Sequence, residues 1–445
     1  GRPVKIYYTK AEHFQSYSVR LGSRVQARVG LKKDGSITAI EGRWLVNIGA
    51  GSESGPFEIA VGCGELQIVL QCPNWNLTTA LVFTNHAPAG IVRGYGGQEL
   101  ESAILPVMAL AMEKAGVDPV EFFKKNIVKK GGGYFWREGH WWTFRGADFT
   151  KAIEEGAKVF GWKDKWQGWG KPTAVDGVRR RGVGVGVHSN ADIGEDVSEA
   201  LVKLSADGRA ILHSCTSESG HGQRSSLCKM VAEVLKLPLE NVKMSPPDTE
   251  VNPFEFGLMG SRGTYAVGSA VIAAAEDARR KLLELAAIKL DTTPDHLDTE
   301  DGLIYIIGRP EQRVPWRRIM GLLRTITGEG RFEPDHSLCN FLMTFVEIEV
   351  DTETGKVELV EVVQATDAGQ IISPKSLEGQ LHGALGSAGL DTAIFEETVL
   401  DPKTGRMLNG NMVDYKWRTF ADLPRFTNVI VETPADSHRF GAVGV

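Results

Sequence analysis

The chain has 445 residues, of which 42% are hydrophobic and 24% are charged. These fractions are typical of packed globular proteins and exclude a disordered chain or a coiled coil. With 50 Lys and Arg against 56 Asp and Glu, the formal net charge of −6 excludes a generally basic nucleic-acid-binding surface. The length predicts more than one domain.

The chain opens on Gly1 without an initiating Met and runs directly into an alternating apolar and polar pattern. This start indicates a fragment or a split subunit, and it carries no apolar signal core. The apolar runs are too short to span a bilayer. The five cysteines occur without CxxC or CxxH spacing, which argues against zinc, a bound iron–sulfur cluster and a disulfide scaffold. A reducing, cytoplasmic location is therefore expected.

The first elements are predicted to be two strands, Val19 to Leu31 and Ile37 to Ile48, joined by a turn at Asp34-Gly35. The same hairpin pattern recurs over Leu201 to Leu212 and over Phe345 to Val363. Apolar residues at spacings of three and four predict five helices. These are Glu99 to Lys114, Phe149 to Phe160, Ser225 to Lys236, Ser269 to Leu290 and Ser376 to Leu390.

The alternation of hairpins and helices predicts an α+β fold with mixed β-sheets and Gly-rich units in which a loop opens a helix. Two Trp-, Gly- and Lys/Arg-rich stretches, residues 131–145 and 161–181, are predicted to be a surface excursion and a linker. We therefore expect a boundary near Arg180, which divides the chain into domains 1–180 and 181–445.

Three Gly-rich loops, at residues 89–99, 218–226 and 257–264, each precede a predicted helix, and a fourth follows Asp367. Glycine lets backbone N–H groups approach a ligand, and a helix N-terminus adds partial positive charge, so such loops can hold an anion. Each loop taken alone also fits a tight turn or a helix cap. The sequence contains neither a P-loop nor a dinucleotide-binding fingerprint, which disfavours a simple nucleotide site.

Taken together and in order, these segments resemble the molybdenum-binding subunit of the xanthine dehydrogenase and aldehyde oxidase family of molybdenum hydroxylases. The resemblance covers essentially the whole chain. It rests on Arg93 to Gly97, Glu218 to Gly222, Gly260 to Gly263, Asp367 to Gly369 with Gly379 to Gly383, and Arg439 to Val445.

The resemblance implies two molybdopterin-binding subdomains and a molybdenum–pyranopterin cofactor, either as such or as its cytosine dinucleotide. It implies catalytic roles for Arg93 and Tyr95, and no protein ligand to the metal. The cofactor-binding residues that it implies are Gly94, Gly220, His221, Gly222, Gly260, Ser261, Arg262 and Gln380.

The implied reaction inserts a water-derived oxygen into an aromatic heterocycle or an aldehyde. Electrons would pass to iron–sulfur and FAD partner subunits, and another chain or segment would carry the missing N-terminal part. The family's general-base Glu is expected just after Val445, and its Gly-Gly-Phe-Gly loop is expected before Gly1. His221 stands where the family usually has Gln. These departures leave a non-catalytic pyranopterin-binding or maturation protein as the alternative, and the substrate stays open.

Individual residues keep alternative interpretations. Arg93 could be a surface arginine in a turn, and Tyr95 could be a core aromatic residue rather than a wall of the substrate site. The polar run His188 to Asp192 interrupts a Val/Gly strand and either faces the substrate or does not. Glu218 is not favoured as a replacement base. Trp141 and its neighbour Trp142 are expected to contact a partner.

Overall fold

A computed structural model describes residues 2, 4–51, 54–135, 139–146, 148–191, 197–334, 338–384 and 389–444. Its helices are α1 Lys10–Ser16, α2 Gly55–Val69, α3 Gly97–Ala115, α4 Pro119–Asn126, α5 Phe149–Phe160, α6 Trp162–Lys165, α7 Gln223–Leu235, α8 Gly268–Leu290, α9 Trp316–Met320, α10 Pro374–Gly383 and α11 Asp391–Ile394. No helix among these residues is long and apolar enough to cross a membrane.

Strands and helices are interspersed through the described residues. They are β1 Gly22–Leu31, β2 Ile37–Gly49, β3 Trp75–Phe83, β4 Gly133–Phe135, β5 Trp141–Thr143, β6 Ala174–Asp176, β7 Arg179–Ala191, β8 Ser198–Ser205, β9 Arg209–His213, β10 Val242–Met244, β11 Leu297–Glu300, β12 Leu303–Ile306, β13 Arg309–Pro315, β14 Thr325–Phe332, β15 Cys339–Asp351, β16 Val357–Asp367 and β17 Arg425–Val431.

The larger sheets mix parallel and antiparallel pairing, which confirms the predicted mixed-sheet fold. In the sheet β1-β2-β3, the first pair is antiparallel and the second is parallel. In the sheet β17-β16-β15-β7-β6, the β16/β17 pair is parallel and the other pairs are antiparallel. A further mixed sheet has the order β10-β9-β8-β14, while β11-β12-β13 and β4-β5 are antiparallel.

The first large core lies between the N-terminal sheet, helices α2 to α5 and the five-stranded sheet. Strand β15 contributes alternate residues, since Phe341, Met343 and Phe345 are fully buried at a period of two. Strand β2 contributes Trp44, Val46 and Ile48 in the same way. This core therefore contains residues from both predicted domains, and the predicted boundary near Arg180 stays a prediction.

The second core lies where α7 and α8 cover the sheet β10-β9-β8-β14. Helix α8 presents Ala270, Ala274 and Ala278 to strand β14, which has glycine at positions 328 and 330. A Cβ atom built on Gly330 would lie 2.0 Å from the carbonyl oxygen of Ala270. Glycine is thus required here because the helix backbone touches the strand backbone.

The predicted helices are confirmed, with small shifts of their ends. The last one ends earlier than expected, at Gly383, and residues 385–388 of that prediction lie outside the described residues. The linker predicted over residues 161–181 is wrong, because β6 and the start of β7 are strands of the five-stranded sheet. Trp162 in this stretch is buried and stacks on Trp166, with ring centroids 5.1 Å apart.

Candidate functional site

Helix α10 lies between two of the predicted cofactor loops. Near its C-terminal end, a guanidinium nitrogen of Arg93 donates to the carbonyl oxygen of Gln380 over 2.9 Å. Near its first turn, Gly222 packs so closely that a Cβ atom on it would lie 2.5 Å from Oγ of Ser376. Gln380 lies four positions after Ser376, or about 6 Å along a helix axis. The Arg93 and His221 loops are therefore held by one short helix.

The third predicted loop contacts the second one through Gln223. A Cβ atom on Gly263 would lie 2.7 Å from Oε1 of Gln223. Ser261 in this loop has a positive φ of 61°, and its Oγ accepts a hydrogen bond from Nδ2 of Asn190 over 2.6 Å. The carbonyl of Ser261 lies against Gly444, where a Cβ atom would be 1.9 Å from that oxygen. The third loop therefore joins the end of β7 to the C-terminal run.

Arg262 is placed differently from its neighbours, since its side chain is 0% exposed. Its guanidinium is paired with Glu255 and donates to the carbonyl of Gly257 over 3.0 Å and to Oγ of Ser198 over 2.9 Å. Removing one partner of such a buried pair would leave an uncompensated charge. In this structure Arg262 fixes the base of the loop, and its role as a cofactor ligand stays a prediction.

The second loop is organised around the carboxylate of Glu218. It accepts the backbone N–H groups of Gly220, Gly222 and Arg224 over 2.8, 3.0 and 3.2 Å. Desolvation opposes ionisation of this carboxyl, but the hydrogen bonds from Gly222, Arg224 and Gly220 outweigh it and lower the pKa of Glu218. Glu218 thus shapes the turn, a role that fits its not being favoured as a replacement base.

His221 lies beside the same carboxylate. Its Nδ1 is 3.2 Å from Oε1 of Glu218 and 3.1 Å from Oγ of Ser219. The carboxylate favours a ring proton on Nδ1, whereas the Ser219 hydroxyl can either accept from Nδ1 or donate to it. Nε2 therefore accepts a hydrogen bond from a ligand in one neutral tautomer and donates one in the other.

Tyr95 lies in the first core. It is 8% exposed, and its ring stacks on Phe57 with centroids 6.0 Å apart. Phe57 lies in the first turn of α2, and Tyr95 lies just before α3. The two helices approach closely at glycines, since a Cβ atom on Gly62 of α2 would lie 2.5 Å from the carbonyl of Gly96. This is the core position that the sequence left open for Tyr95, and contact with a substrate stays a prediction.

A buried acidic cluster lies beneath the Arg93 loop. Glu58 and Glu65 of α2 and Glu99 and Glu101 of α3 are each less than 10% exposed. Burial raises the pKa of Glu58, Glu99 and Glu101. Glu99 pairs with Arg20 over 3.2 Å, and Arg20 also donates to the carbonyl of Arg93 over 2.8 Å. The cluster therefore positions the loop through a cation.

The second cation of this cluster is His188. Its Nδ1 lies 2.6 Å from Oε2 of Glu101, and its Nε2 faces the loop, 3.8 Å from where a Cβ of Gly94 would stand. Burial would lower the pKa of His188, but the carboxylates of Glu101, Glu65 and Glu99 outweigh burial and raise it to about 9. Of the polar run His188 to Asp192, this residue reaches the loop, while Asp192 lies outside the described residues.

Where the loops meet, buried polar atoms remain that could form hydrogen bonds with a bound polar cofactor. Nε2 of Gln223 and Oε1 of Gln98 are buried, and neither has a hydrogen-bond partner among the described residues. A Cβ atom on Gly220 or Gly379 would meet nothing within 4 Å. Unpaired buried amides are costly unless a ligand or water satisfies them, so these loops can accept a group with both donors and acceptors.

Comparison with known proteins decides the family. Residues 155–424 and residues 1–127 each match a family model described as a molybdopterin cofactor-binding domain. The chain belongs to the molybdopterin cofactor-binding domain family. The expected resemblance to molybdenum-binding subunits of the xanthine dehydrogenase and aldehyde oxidase type is thereby confirmed.

Relatives of this molybdopterin-binding chain are longer than it is. It is 28% identical to a putative xanthine dehydrogenase molybdenum-binding subunit of Escherichia coli K12, a match that covers 99% of the chain and 59% of the relative. It is 26% identical to the gamma subunit of the 6-hydroxypseudooxynicotine dehydrogenase complex of Paenarthrobacter nicotinovorans, covering 100% and 58%. The fold matches quinoline 2-oxidoreductase from Pseudomonas putida 86 with a TM-score of 0.84 at 22% identity, covering 98% and 58%.

Sequence reasoning missed several residues of the molybdopterin-binding chain that hold this site together. Arg20, Gln98 and Glu101 were not singled out, because each partner lies far away in the sequence. A signal was available for the acidic cluster, since Glu58 and Glu65 interrupt an otherwise apolar and glycine-rich stretch. Gln223 lies inside the predicted loop at residues 218–226, where its polar side chain was a signal that could have been used.

Proposed function

We propose that this chain is the molybdopterin-binding part of the catalytic subunit of a molybdenum hydroxylase. The enzyme would insert a water-derived oxygen into an aromatic heterocycle or an aldehyde. The observation that supports the proposal is the meeting of the Arg93 and His221 loops at helix α10. Beside it, Oε1 of Gln98 and Nε2 of Gln223 are buried and have no hydrogen-bond partner within the part of the chain that the structure describes. A proposed division near residue 180 would place the Arg93 loop in one cofactor-binding domain and the His221 loop in the other.

The proposed cofactor is a molybdenum–pyranopterin, as such or as its cytosine dinucleotide, and when bound it would supply the redox chemistry of the hydroxylation. The residues proposed to hold it are Gly94, Gly220, His221, Gly222, Gly260, Ser261 and Gln380. Gln98 and Gln223 are added because Oε1 of the first and Nε2 of the second are buried and lack a hydrogen-bond partner among the described residues. Arg262 would act by fixing its loop. The relatives are named as subunits of larger enzymes, which supports partner chains, and we propose that these carry iron–sulfur clusters and FAD.

The chain's own side chains would bind and orient the substrate. Arg93 is exposed and keeps donor groups beyond the one given to Gln380, so its cation can stabilise negative charge at the site. Tyr95 would support the loop from the core side, where it stacks on Phe57. His221 would donate to an anionic cofactor group through Nε2. A cytoplasmic location is proposed with this function.

The test uses the full-length protein purified with its partner subunits. Molybdenum is measured by mass spectrometry and pterin by extraction, and a panel of heterocycles and aldehydes is oxidised in ¹⁸O-labelled water. We expect molybdenum and pterin in near-equal amounts and labelled product from at least one compound. Preparations with neither metal nor pterin would refute the proposal. Cofactor without oxidation of any compound would favour the non-catalytic alternative.

A further inference from the structure

A large cavity lies beside the cofactor loops, with a volume of about 950 Å³. Its walls come from both ends of the chain: residues 10–22, 47–49 and 85–92 on one side, and residues 392–417 on the other. Val92 lines it next to Arg93, and Arg20, which also lines it, donates to the carbonyl of Arg93. Its size suits a small organic molecule.

Aromatic side chains form part of the cavity wall. Phe14 and Tyr415 have ring centroids 5.5 Å apart, and Tyr415 and Trp417 have centroids 6.4 Å apart in an edge-to-face arrangement. Met407 and Met412 add polarizable thioethers to the same lining. Flat rings pack well against such surfaces, so the cavity favours a planar aromatic ligand.

The charged groups of the lining favour an anion. Lys10, Arg20 and Arg406 are cationic, and Glu396 is the one carboxylate among the described lining residues. Glu396 already accepts the hydroxyl of Tyr415 over 2.7 Å. Arg20 is paired with Glu99, whereas Lys10 and Arg406 have no ion-pair partner among the described residues. Two cations are therefore available for a ligand.

His86 lines the same cavity, and its hydrogen bonds determine which ring nitrogen of the neutral imidazole can donate. Oδ1 of Asn47 accepts the N–H of Gly49 over 2.9 Å and the hydroxyl of Thr84 over 2.7 Å. The amide nitrogen of Asn47 must then donate to Nδ1 of His86, which lies 2.8 Å away. This leaves the ring proton of neutral His86 on Nε2.

We propose that this cavity binds a planar aromatic carboxylate, whose ring packs among Phe14, Tyr415 and Trp417 and whose carboxylate pairs with Arg406 and Lys10. Arginine suits this role because its fork of N–H groups matches a carboxylate. Binding is measured without turnover, so the proposal stands apart from the proposed oxidation chemistry. A carboxylate bound here is either a substrate or an effector.

The experiment is equilibrium dialysis of 2-naphthoate and its neutral isostere 2-naphthamide against the full-length protein with its partner subunits. We expect naphthoate to bind about tenfold more tightly than naphthamide, the effect of one charge-assisted contact. Arg406→Gln should weaken naphthoate binding about tenfold and leave naphthamide binding nearly unchanged. Arg309→Gln, at an exposed position on β13, is the matched control and should change neither.

Three results would overturn the proposal. They are equal affinities for naphthoate and naphthamide, no measurable binding of either compound, and naphthoate binding that survives Arg406→Gln. Tyr415→Leu should weaken both ligands, and its unfolding midpoint shows whether the variant is folded. If naphthoate binds as expected, an oxidised naphthoate product identifies a substrate, and its absence identifies an effector. Loss of oxidation in a preparation that still binds naphthoate counts against the proposed function alone.

Discussion

At the scale of single residues, Arg93 is the side chain whose charge should matter most to turnover. Its guanidinium is anchored at Gln380, and the residue as a whole remains exposed at the loop. Arg93→Ala should lower kcat/KM by roughly thirty- to a thousandfold, because a positioned cation that stabilises developing charge contributes about 2–4 kcal/mol.

The molybdenum and pterin content of that variant should stay near that of the parent enzyme. Arg43→Ala, which removes an exposed arginine from strand β2, is the control and should leave kcat/KM unchanged. A parent-like kcat/KM for Arg93→Ala in the assembled enzyme would remove Arg93 from the site.

Glu218 carries a second prediction at the same scale. Its carboxylate holds three backbone N–H groups of the His221 loop, so Glu218→Ala should speed hydrogen exchange of Gly220, Gly222 and Arg224 at least about tenfold. The folded pKa of Glu218 is lowered, so this protection is present at neutral pH and is lost as pH falls through that pKa. Hydrogen exchange with mass spectrometry measures both effects.

Glu233→Ala, in the exposed face of α7, should leave the exchange of these three amides unchanged. If exchange in the loop were equally slow in Glu218→Ala, the carboxylate would not be what organises the turn.

At the scale of elements, the contact of α8 with β14 depends on glycine. Gly330→Ala would put a methyl group 2.0 Å from the Ala270 carbonyl and should destabilise the fold by about 3 kcal/mol, since a backbone contact cannot yield. Gly184→Ala in strand β7 is a matched control, because its Cβ would meet nothing within 4 Å. Denaturant unfolding compares the two, and equal stabilities would show that α8 can shift away from the strand.

Elements with regular apolar spacing were predictable from sequence, and α5 was found over the same residues, Phe149–Phe160. Helix α2 was missed because Gly62, Gly64 and two buried glutamates obscure its pattern, and they make sense only beside α3 and Arg20. The linker prediction failed because Arg179, Arg180 and Arg181 pair with the distant strand β15, and because Trp162 is buried in the first core. Long-range pairing of this kind leaves no local signal.

The loops of the candidate site could be predicted from the sequence, but the side-chain contacts that connect them could not. Glycine-rich segments before helices pointed to Arg93 and His221, whereas the burial of Arg262 beside Glu255 and the placement of His221 beside Glu218 depend on how the loops fold. A motif specifies which backbone can approach a ligand. It does not specify which side chains satisfy one another within the protein.

At the scale of the whole molecule, the His188–Glu101 pair joins the five-stranded sheet to helix α3 of the N-terminal region. The folded pKa of His188, about 9, lies above its ordinary value of 6.5, so its stabilising contribution is complete below pH 6.5 and is lost as pH rises through 9. The free energy of unfolding should therefore fall with rising pH across this window, by less than about 1.4 kcal/mol per pH unit because the imidazole is partly solvated.

His188→Gln should flatten that dependence, since glutamine keeps a hydrogen-bond donor for Glu101 but binds no proton. His140→Gln, at an exposed position, should retain the parent slope. Urea unfolding at half-unit steps from pH 6 to 10 measures the three slopes. The same slope in His188→Gln as in the parent protein would show that this pair does not hold the two regions together through its charge, because the proton taken up on folding would then reside on another group.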